Sequence, residues 1–226
     1  GGDIPANSNY SDIDRIDYSN DTATASSKGP LTAFRRFHAA TSARAHGFVP
    51  IGPSVVSNAA AMAVSPPTTF GYFGGGAPGP GAYSTVERID YNNDTATAAT
   101  KGSLSSARYS LGATGSSSFG YFGGGYTGSA NSSTVDRVDY SNDTATAAAK
   151  GPLSNGRYEL AATSASENAL PTDTGILTLF NPASSVRENV APQGTDFGYF
   201  GGGHPGPKSR VDRIDYSNDT ATASPK

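Results

Sequence analysis

The chain repeats itself, and no other property of the sequence limits its fold as strongly. The segment from Arg15, RIDYSNDTATA, returns from Arg88 as RIDYNNDTATA, from Arg137 as RVDYSNDTATA and from Arg213 as RIDYSNDTATA. FGYFGGG stands upstream of the last three copies, at 70–76, 119–125 and 197–203. A Leu-x-x-x-Arg segment stands downstream of the first three, from Leu31 to Arg35, Leu104 to Arg108 and Leu153 to Arg157. The copies start 73, 49 and 76 residues apart, so the middle spacing gives the bare unit. The extra residues fall at one junction only, 42–69 and 164–196. Self-similar units bury their apolar faces against their neighbours, and insertions confined to one junction map to loops on one face of the assembly. The expected organisation is a single repeat domain over 1–226, with units near 1–41, 70–114, 119–163 and 197–226.

Within a unit the local pattern is β. Phe-Gly-Tyr-Phe alternates as a strand does and ends at a glycine triplet that permits positive φ or close backbone approach. In Val135–Tyr140, Val135, Arg137 and Asp139 point one way and Asp136, Val138 and Tyr140 the other. Ser141-Asn142-Asp143 is a turn signal, Thr144–Thr146 reads as a short returning strand, and Arg157–Thr163 is expected to complete its own unit as a fourth strand. No stretch offers capped helical periodicity over three turns. Four strands in about 50 residues with glycine-rich turns predict an all-β propeller of four-stranded blades. The inventory predicts three complete repeats plus one half, part of a larger propeller; the alternative is an open arc or a four-bladed ring with one thin blade.

These residues resemble the kelch-repeat β-propeller family. Gly123-Gly124-Gly125 match the family's glycines, Val138-Asp139-Tyr140 its second strand, Asn142-Asp143-Thr144 its turn, and Leu153 with Arg157 its last element. The resemblance covers all four copies. It departs at the position where the family carries Trp: this chain has Ala23, Ala96, Ala145 or Ala221 there, and no Trp anywhere. The Tyr and second Phe of FGYFGGG are expected to fill part of that volume. The near-identical units are also similar to repeats in predicted proteins of marine phages and microbes. Some propeller enzymes with kelch-like repeats use copper with a Cys–Tyr crosslink, which a chain without Cys cannot form.

Composition excludes several functions. With no Cys there are no disulfides, thiolate nucleophiles or Cys-ligated metal sites. A net charge of −3 leaves no electrostatic footprint for nucleic acid. No apolar run approaches the ~18 residues of a membrane-spanning helix. Leu, Ile, Val and Phe make up only about 15% of the chain, so the 12 Tyr must contribute to any core. No nucleophile elbow, zinc-protease pair or phosphate-binding loop appears, and the three His residues, His38, His46 and His204, fall outside the repeated frame. Aligned by the repeat, His38 replaces Ser110 or Glu159. The chain is therefore expected to be no enzyme, with no catalytic residue and no cofactor.

Asp90, Asn92 and Asp94 form a weak calcium candidate, but no Gly or closing Glu follows at EF-hand spacing, and an Asx-stabilised turn explains the same residues. Asn20, Asn93, Asn142 and Asn218 each open an N-x-[ST] sequon. Arg15, Arg88, Arg137 and Arg213 share a strand face with Asp17, Asp90, Asp139 and Asp215, a spacing suited to ion pairs within or between blades. Arg35, Arg108 and Arg157 are expected to bond neighbouring backbone carbonyls. All of these read as structural, since all copies carry them. Binding candidates are Arg44 and His46 in the first insertion, Phe180 and Arg187 in the second, and His204 in a His-Pro-Gly-Pro loop; Ile176–Phe180 could add a strand. The function read from this pattern is a non-enzymatic binding or scaffold module presenting loops to a protein or glycan. The alternatives are a self-assembling structural protein of a virion or extracellular surface, pairing through cut blade edges, and a carbohydrate-active propeller enzyme. The compartment stays open between extracellular and virion-associated.

Overall fold

The computed structural model describes residues 3–4, 8–9, 11–17, 20, 22–42, 70–116, 118–164, 197–206 and 209–226. Its strands are β1 (Asp3–Ile4), β2 (Ser8–Asn9), β3 (Asp14–Arg15), β4 (Ser26–Ser27), β5 (Ala39–Ser42), β6 (Phe70–Gly74), β7 (Val86–Asp90), β8 (Ala99–Thr100), β9 (Gly112–Gly115), β10 (Phe119–Gly123), β11 (Val135–Asp139), β12 (Ala148–Lys150), β13 (Ala161–Ser164), β14 (Phe197–Gly201), β15 (Val211–Asp215) and β16 (Ser224–Pro225). Three four-stranded antiparallel sheets follow: sheet I in the order β5-β6-β7-β8, sheet II β9-β10-β11-β12 and sheet III β13-β14-β15-β16. Two short hairpins, β1-β2 and β3-β4, precede them. Identical sequence yields identical register, with Phe70 opposite Asp90, Phe119 opposite Asp139 and Phe197 opposite Asp215. Three short 3-10 turns, Tyr91–Asn93, Tyr140–Asn142 and Tyr216–Asn218, close the central hairpins. No helix among the described residues is long and apolar enough to cross a membrane.

One expectation is corrected by the strand pairing. The strand after each Leu-x-x-x-Arg segment does not complete its own unit; it opens the sheet of the next one. Ala39–Ser42 pairs with Phe70–Gly74, Gly112–Gly115 with Phe119–Gly123, and Ala161–Ser164 with Phe197–Gly201. Each sheet therefore begins in one sequence unit and ends in the next. Ser42 and Ser164, placed in the insertions by sequence, are the last ladder residues, opposite Gly71 and Gly198.

The core lies between sheets, because the two faces of the FGYFG strand point to different neighbours. Tyr72 faces forward and stacks on Tyr140 of sheet II, centroids 4.8 Å apart, and Tyr121 stacks likewise on Tyr216 of sheet III at 4.7 Å. Phe122 and Phe200 face backward, fully buried against Gly74 and Gly123 of the preceding sheet. Such ring pairs contribute about 0.5–1.5 kcal/mol each beyond the area they bury. Val86, Leu104, Leu111 and Val138 complete the layer between sheets I and II; Val135, Leu153, Leu160 and Ile214 complete the layer between II and III.

The missing Trp is explained by the same packing. Ala96, Ala145 and Ala221, at the position where a buried Trp was expected, are exposed; the buried alanines are Ala98, Ala147 and Ala223, two residues on. The turn's backbone is packed against a neighbouring glycine: a Cβ added to Gly102 would lie 1.7 Å from the carbonyl oxygen of Ala145, and one on Gly151 1.7 Å from that of Ala221. The glycine of each Lys-Gly pair thus lets one unit's tail press directly on the next unit's turn, whose alanine points outward.

The arginines of the second and third Leu-x-x-x-Arg segments fasten two sheets together. Arg108 binds sheet I through its main chain, its N–H donating to Tyr83 O at 3.1 Å and its carbonyl accepting from Gly76 N–H at 3.0 Å. Its guanidinium reaches into sheet II, where it donates to the carbonyls of Gly124 (2.8 Å) and Phe122 (3.0 Å) and pairs with Asp136 at 2.8 Å. Both charged groups are fully buried. Arg157 repeats the arrangement on Phe200 O and Asp212, and Arg35 pairs with Glu87 at 2.9 Å. Removing one partner of such a pair strands a charge in the core. Arg108→Met is therefore expected to cost roughly 3–5 kcal/mol, and Arg108→Met with Asp136→Leu less, since no charge is then left buried. Urea denaturation of the two variants measures the difference; equal losses would show that the carbonyl bonds dominate instead.

Candidate binding faces

The end of each sheet where the insertions attach carries the Asp-Tyr-x-Asn-Asp turns. Asp90, Asp139 and Asp215 cap these turns, each accepting from a backbone N–H two residues on at 2.9 Å. The hydroxyl and amide of Ser141 hold the Asp139 carboxyl below its ordinary range. The arginines on the same strand face ignore these carboxylates and reach forward instead. Arg88 pairs with Asp143 at 2.7 Å and Arg137 with Asp219 at 2.6 Å, each the second acid of the next unit's turn. Lys101 and Tyr72 join Arg88 on Asp143, at 3.2 and 3.0 Å; Lys150 and Tyr121 join Arg137 on Asp219, at 3.4 and 3.0 Å. Burial, with the neighbouring carboxylate, raises the phenols of Tyr72 and Tyr121, which stay protonated as donors. Arg15 and Lys28 make the same grip on Asp94 at 2.7 and 3.6 Å.

Of the paired arrangements open to these arginines, the structure thus realises the one between blades, with partners other than Asp17, Asp90, Asp139 and Asp215. Arg213 lies over Phe197 at 4.1 Å. The calcium candidate finds Asp90 engaged as a turn cap and Asp94 turned to two cations. Among the described residues no group of three His, Asp or Glu side chains is placed to hold a metal. Of the sequon residues, Asn20, Asn93 and Asn218 accept from the Thr hydroxyl two residues on.

The opposite, glycine-triplet end holds an arrangement that the sequence motifs did not reveal. Phe37, Tyr109, Tyr126, Tyr158 and His204 form a continuous row of rings across the three sheets, with successive centroids 6.2, 5.7, 5.6 and 5.5 Å apart. Backbone bonds hold it in place: Tyr109 and Tyr126 exchange both main-chain bonds, as do Tyr158 and His204. Beside the row, Phe37, Ser110 and Glu159 each sit at φ of 55–56°, the left-handed region that non-glycine residues seldom adopt. Ser110 N–H donates to Phe37 O and Glu159 N–H to Ser110 O, both at 2.7 Å, so the three residues form a ladder from sheet to sheet. His204 lies 3.5 Å from the Glu159 carboxylate, both about half exposed.

This frame corrects the alignment of His38. Counted from Arg35, Arg108 and Arg157, Phe37 occupies the position of Ser110 and Glu159, and His38 that of Leu111 and Leu160. His38 therefore enters a site built for an apolar side chain. Its Nδ1 is buried without a hydrogen-bond partner, its ring lies 5.7 Å from Phe73, and burial lowers its pKa from 6.5 to about 4. Between these two values the unfolded chain binds the proton and the folded chain does not, so this residue's contribution to stability is complete above pH 6.5 and lost as the pH falls toward 4. His38→Leu is expected to remove that part of the acid sensitivity, seen as a flatter denaturation midpoint between these pH values; identical pH profiles would refute it.

Of the proposed binding residues, His204 falls in the aromatic row, whereas Arg44, His46, Phe180, Arg187 and the segment 176–180 lie outside the described residues. The buried acids Glu87, Asp136 and Asp212 were missed as partners of Arg35, Arg108 and Arg157. The available signal was an acid alternating with Val138 and Tyr140 on an otherwise apolar strand face.

No family model matches the chain, and no curated protein matches it. Among solved structures it is similar to YjhT, a kelch-like β-propeller, with a TM-score of 0.56 and 13% sequence identity over 96% of this chain. The chain spans about half, 52%, of that protein's length. With the three packed sheets, this likeness establishes an all-β, propeller-like fold.

Proposed function

We propose that the protein is a non-enzymatic binding module whose glycine-end face engages a protein or glycan partner. The observation that carries this reading is where the repeats differ. Residues that join the sheets, such as Tyr72 and Tyr121, Arg88 and Arg137, or Asp143 and Asp219, are the same from unit to unit. The row and its ladder differ at equivalent positions: Phe37, Ser110 and Glu159 in one set, Ala77, Tyr126 and His204 in another. A repeated frame whose exposed rings and polar side chains differ from unit to unit at this end is the pattern of a surface shaped for contact. Tyrosine suits such a surface because it offers a rigid apolar body and a polar tip at little entropic cost.

A second surface is favoured by the insertions. Both occupy the connection between the first and second strands of a sheet, β5 to β6 and β13 to β14, where sheet II needs only residues 116–118. They leave the sheets at the end opposite the aromatic row. Two variants separate the surfaces: Tyr126→Ala with Tyr158→Ala, and a chain in which 43–69 and 165–196 are each replaced by the Ser-Ser-Ser turn of sheet II. On a glycan array and in cross-linked pull-downs, the tyrosine variant is expected to lose binding by tenfold or more while keeping the native circular dichroism spectrum. Loss confined to the loop-replaced chain would assign binding to the insertions, and retention by both would overturn the reading.

A further inference from the structure

The third Leu-x-x-x-Arg junction departs from the other two in the residues around its arginine. Arg210 stands where sheets I and II have Thr85 and Thr134, and Asn155 and Gly156 stand where the second segment has Ser106 and Ala107. Asn155, Gly156, Arg157 and Arg210 line a cavity of about 80 Å³. That is several times the roughly 10–15 Å³ that one water needs, and well short of the ~300 Å³ at which pockets for whole drug-sized ligands begin. Charge is out of balance beside it. Asp212, the acid of this junction, already accepts from Ser154 Oγ at 2.7 Å, Ser154 N–H at 3.0 Å and Arg157 Nη2 at 2.9 Å. Arg210 adds a second guanidinium, and among the described residues no second carboxylate pairs with it. Its Nη1 donates to Ser154 Oγ at 3.0 Å and to the Asn155 amide oxygen, whose nitrogen in turn donates to Ser154 O at 3.1 Å. Arg157 is 2% exposed, and its Nε is buried without a partner, whereas Arg108 Nε donates to Gly124 O at 2.8 Å. Arg35 shares the unpartnered Nε, but Thr85 stands beside it where Arg157 has Arg210. Burial lowers the pKa of Arg157, Asp212 opposes that, and Arg210 adds to it.

We propose that this cavity binds a small oxyanion, a phosphate or sulfate group, with Arg210 as its main ligand and the Arg157 charge behind it. A guanidinium meets an oxyanion through paired N–H donors in a fixed plane. Ser154 and Asn155 hold Arg210 by Nη1, which leaves the Nε–Nη2 edge preorganised for such a pair. A bound anion neutralises the second guanidinium as Asp212 neutralises the first. The volume fits one such group and not a whole ligand, so the anion is either a free ion or the end of a larger molecule that lies outside the cavity. Arg157 precedes Tyr158 in the chain, but the site does not depend on the aromatic row binding anything.

Amide NMR spectra of the intact chain, titrated with sodium phosphate or sodium sulfate against sodium chloride at equal ionic strength, test this. Either oxyanion is expected to give saturable shifts at Ser154, Gly156 and Arg157 that chloride does not give. Arg210→Thr installs the residue of sheets I and II, so it is expected to keep the native circular dichroism spectrum. It is expected to weaken oxyanion binding about tenfold or more, the scale of one hydrogen bond to a charged group. Glucose 6-phosphate separates the two sources: tighter binding than inorganic phosphate supports the site with an ester of a larger molecule as its ligand, and equal or weaker binding supports it with the free ion. No saturable shift with either oxyanion, the same shifts in chloride, or an affinity unchanged by Arg210→Thr would overturn the proposal. Since the inorganic probes do not call on the rings, failure here leaves the binding reading of the aromatic row untouched.

Discussion

Arg108 and Arg157 each belong to two sheets at once, and the rest of the packing follows from that. The main chain of Arg108 is fixed to the turn at Gly76 and Tyr83, while its guanidinium is consumed in the next sheet by two carbonyls and Asp136. Leu104, four residues earlier, is buried in the layer between the same two sheets. Asp136 also accepts from Ser105 N–H at 3.0 Å, so the acid holds both ends of the segment. A bare ion pair at this depth would suffer a desolvation cost comparable to its attraction; here added hydrogen bonds satisfy the guanidinium on several sides. The fixed fork geometry of Arg makes the pair directional, so it specifies where each sheet sits relative to the last.

The second tie, between Arg, Lys and Tyr of one unit and Asp of the next, has a different character. Its arginines keep about a quarter of their side-chain surface in water, so their Coulomb attraction is screened and each contributes modestly. Its strength lies in combination with apolar contact: Tyr72 stacks on Tyr140 and donates its hydroxyl to Asp143, so one side chain serves both the core and the polar rim. This explains how a chain poor in aliphatic residues and without Trp still buries a continuous layer between sheets. Tyrosine supplies the apolar area, and the carboxylate satisfies the hydroxyl that comes with it.

The architecture was legible in the sequence because it depends on alternation and punctuation, which the repeats display several times over. The FGYF strand, the capped turn and the junction that accepts insertions all fall where the pattern puts them. The strand phase did not, since copies so nearly identical carry no mark of which one a strand pairs with; pairing is decided by the crossover at Arg108, a tertiary fact. The buried acids were hidden for a related reason. Asp136 in isolation reads as a solvent-facing charge, and only the arrival of a guanidinium from a distant loop makes its burial tolerable. The aromatic row escaped notice because Phe37, Tyr109, Tyr126, Tyr158 and His204 come from positions that differ between units, and a search for repeats sets such positions aside.

Identity between copies and difference between them therefore have separate causes. An interface used in every unit must be complementary to itself under the repeat: Tyr121 has to meet Tyr216 as Tyr72 meets Tyr140, so a change in one copy mismatches its neighbours on both sides. That constraint acts on both faces of every sheet and on the turn that bears Asp143 or Asp219. It acts less on the residues beside the glycine triplets, where Phe37, Glu159 and His204 are exposed. Phe37, Ser110 and Glu159 share one positive φ to within a degree while differing wholly in chemistry, which shows how little the frame demands of the side chain there. In a repeat protein whose sheet interfaces are locked, such positions are where units can acquire different chemistry without disturbing the packing that orders them.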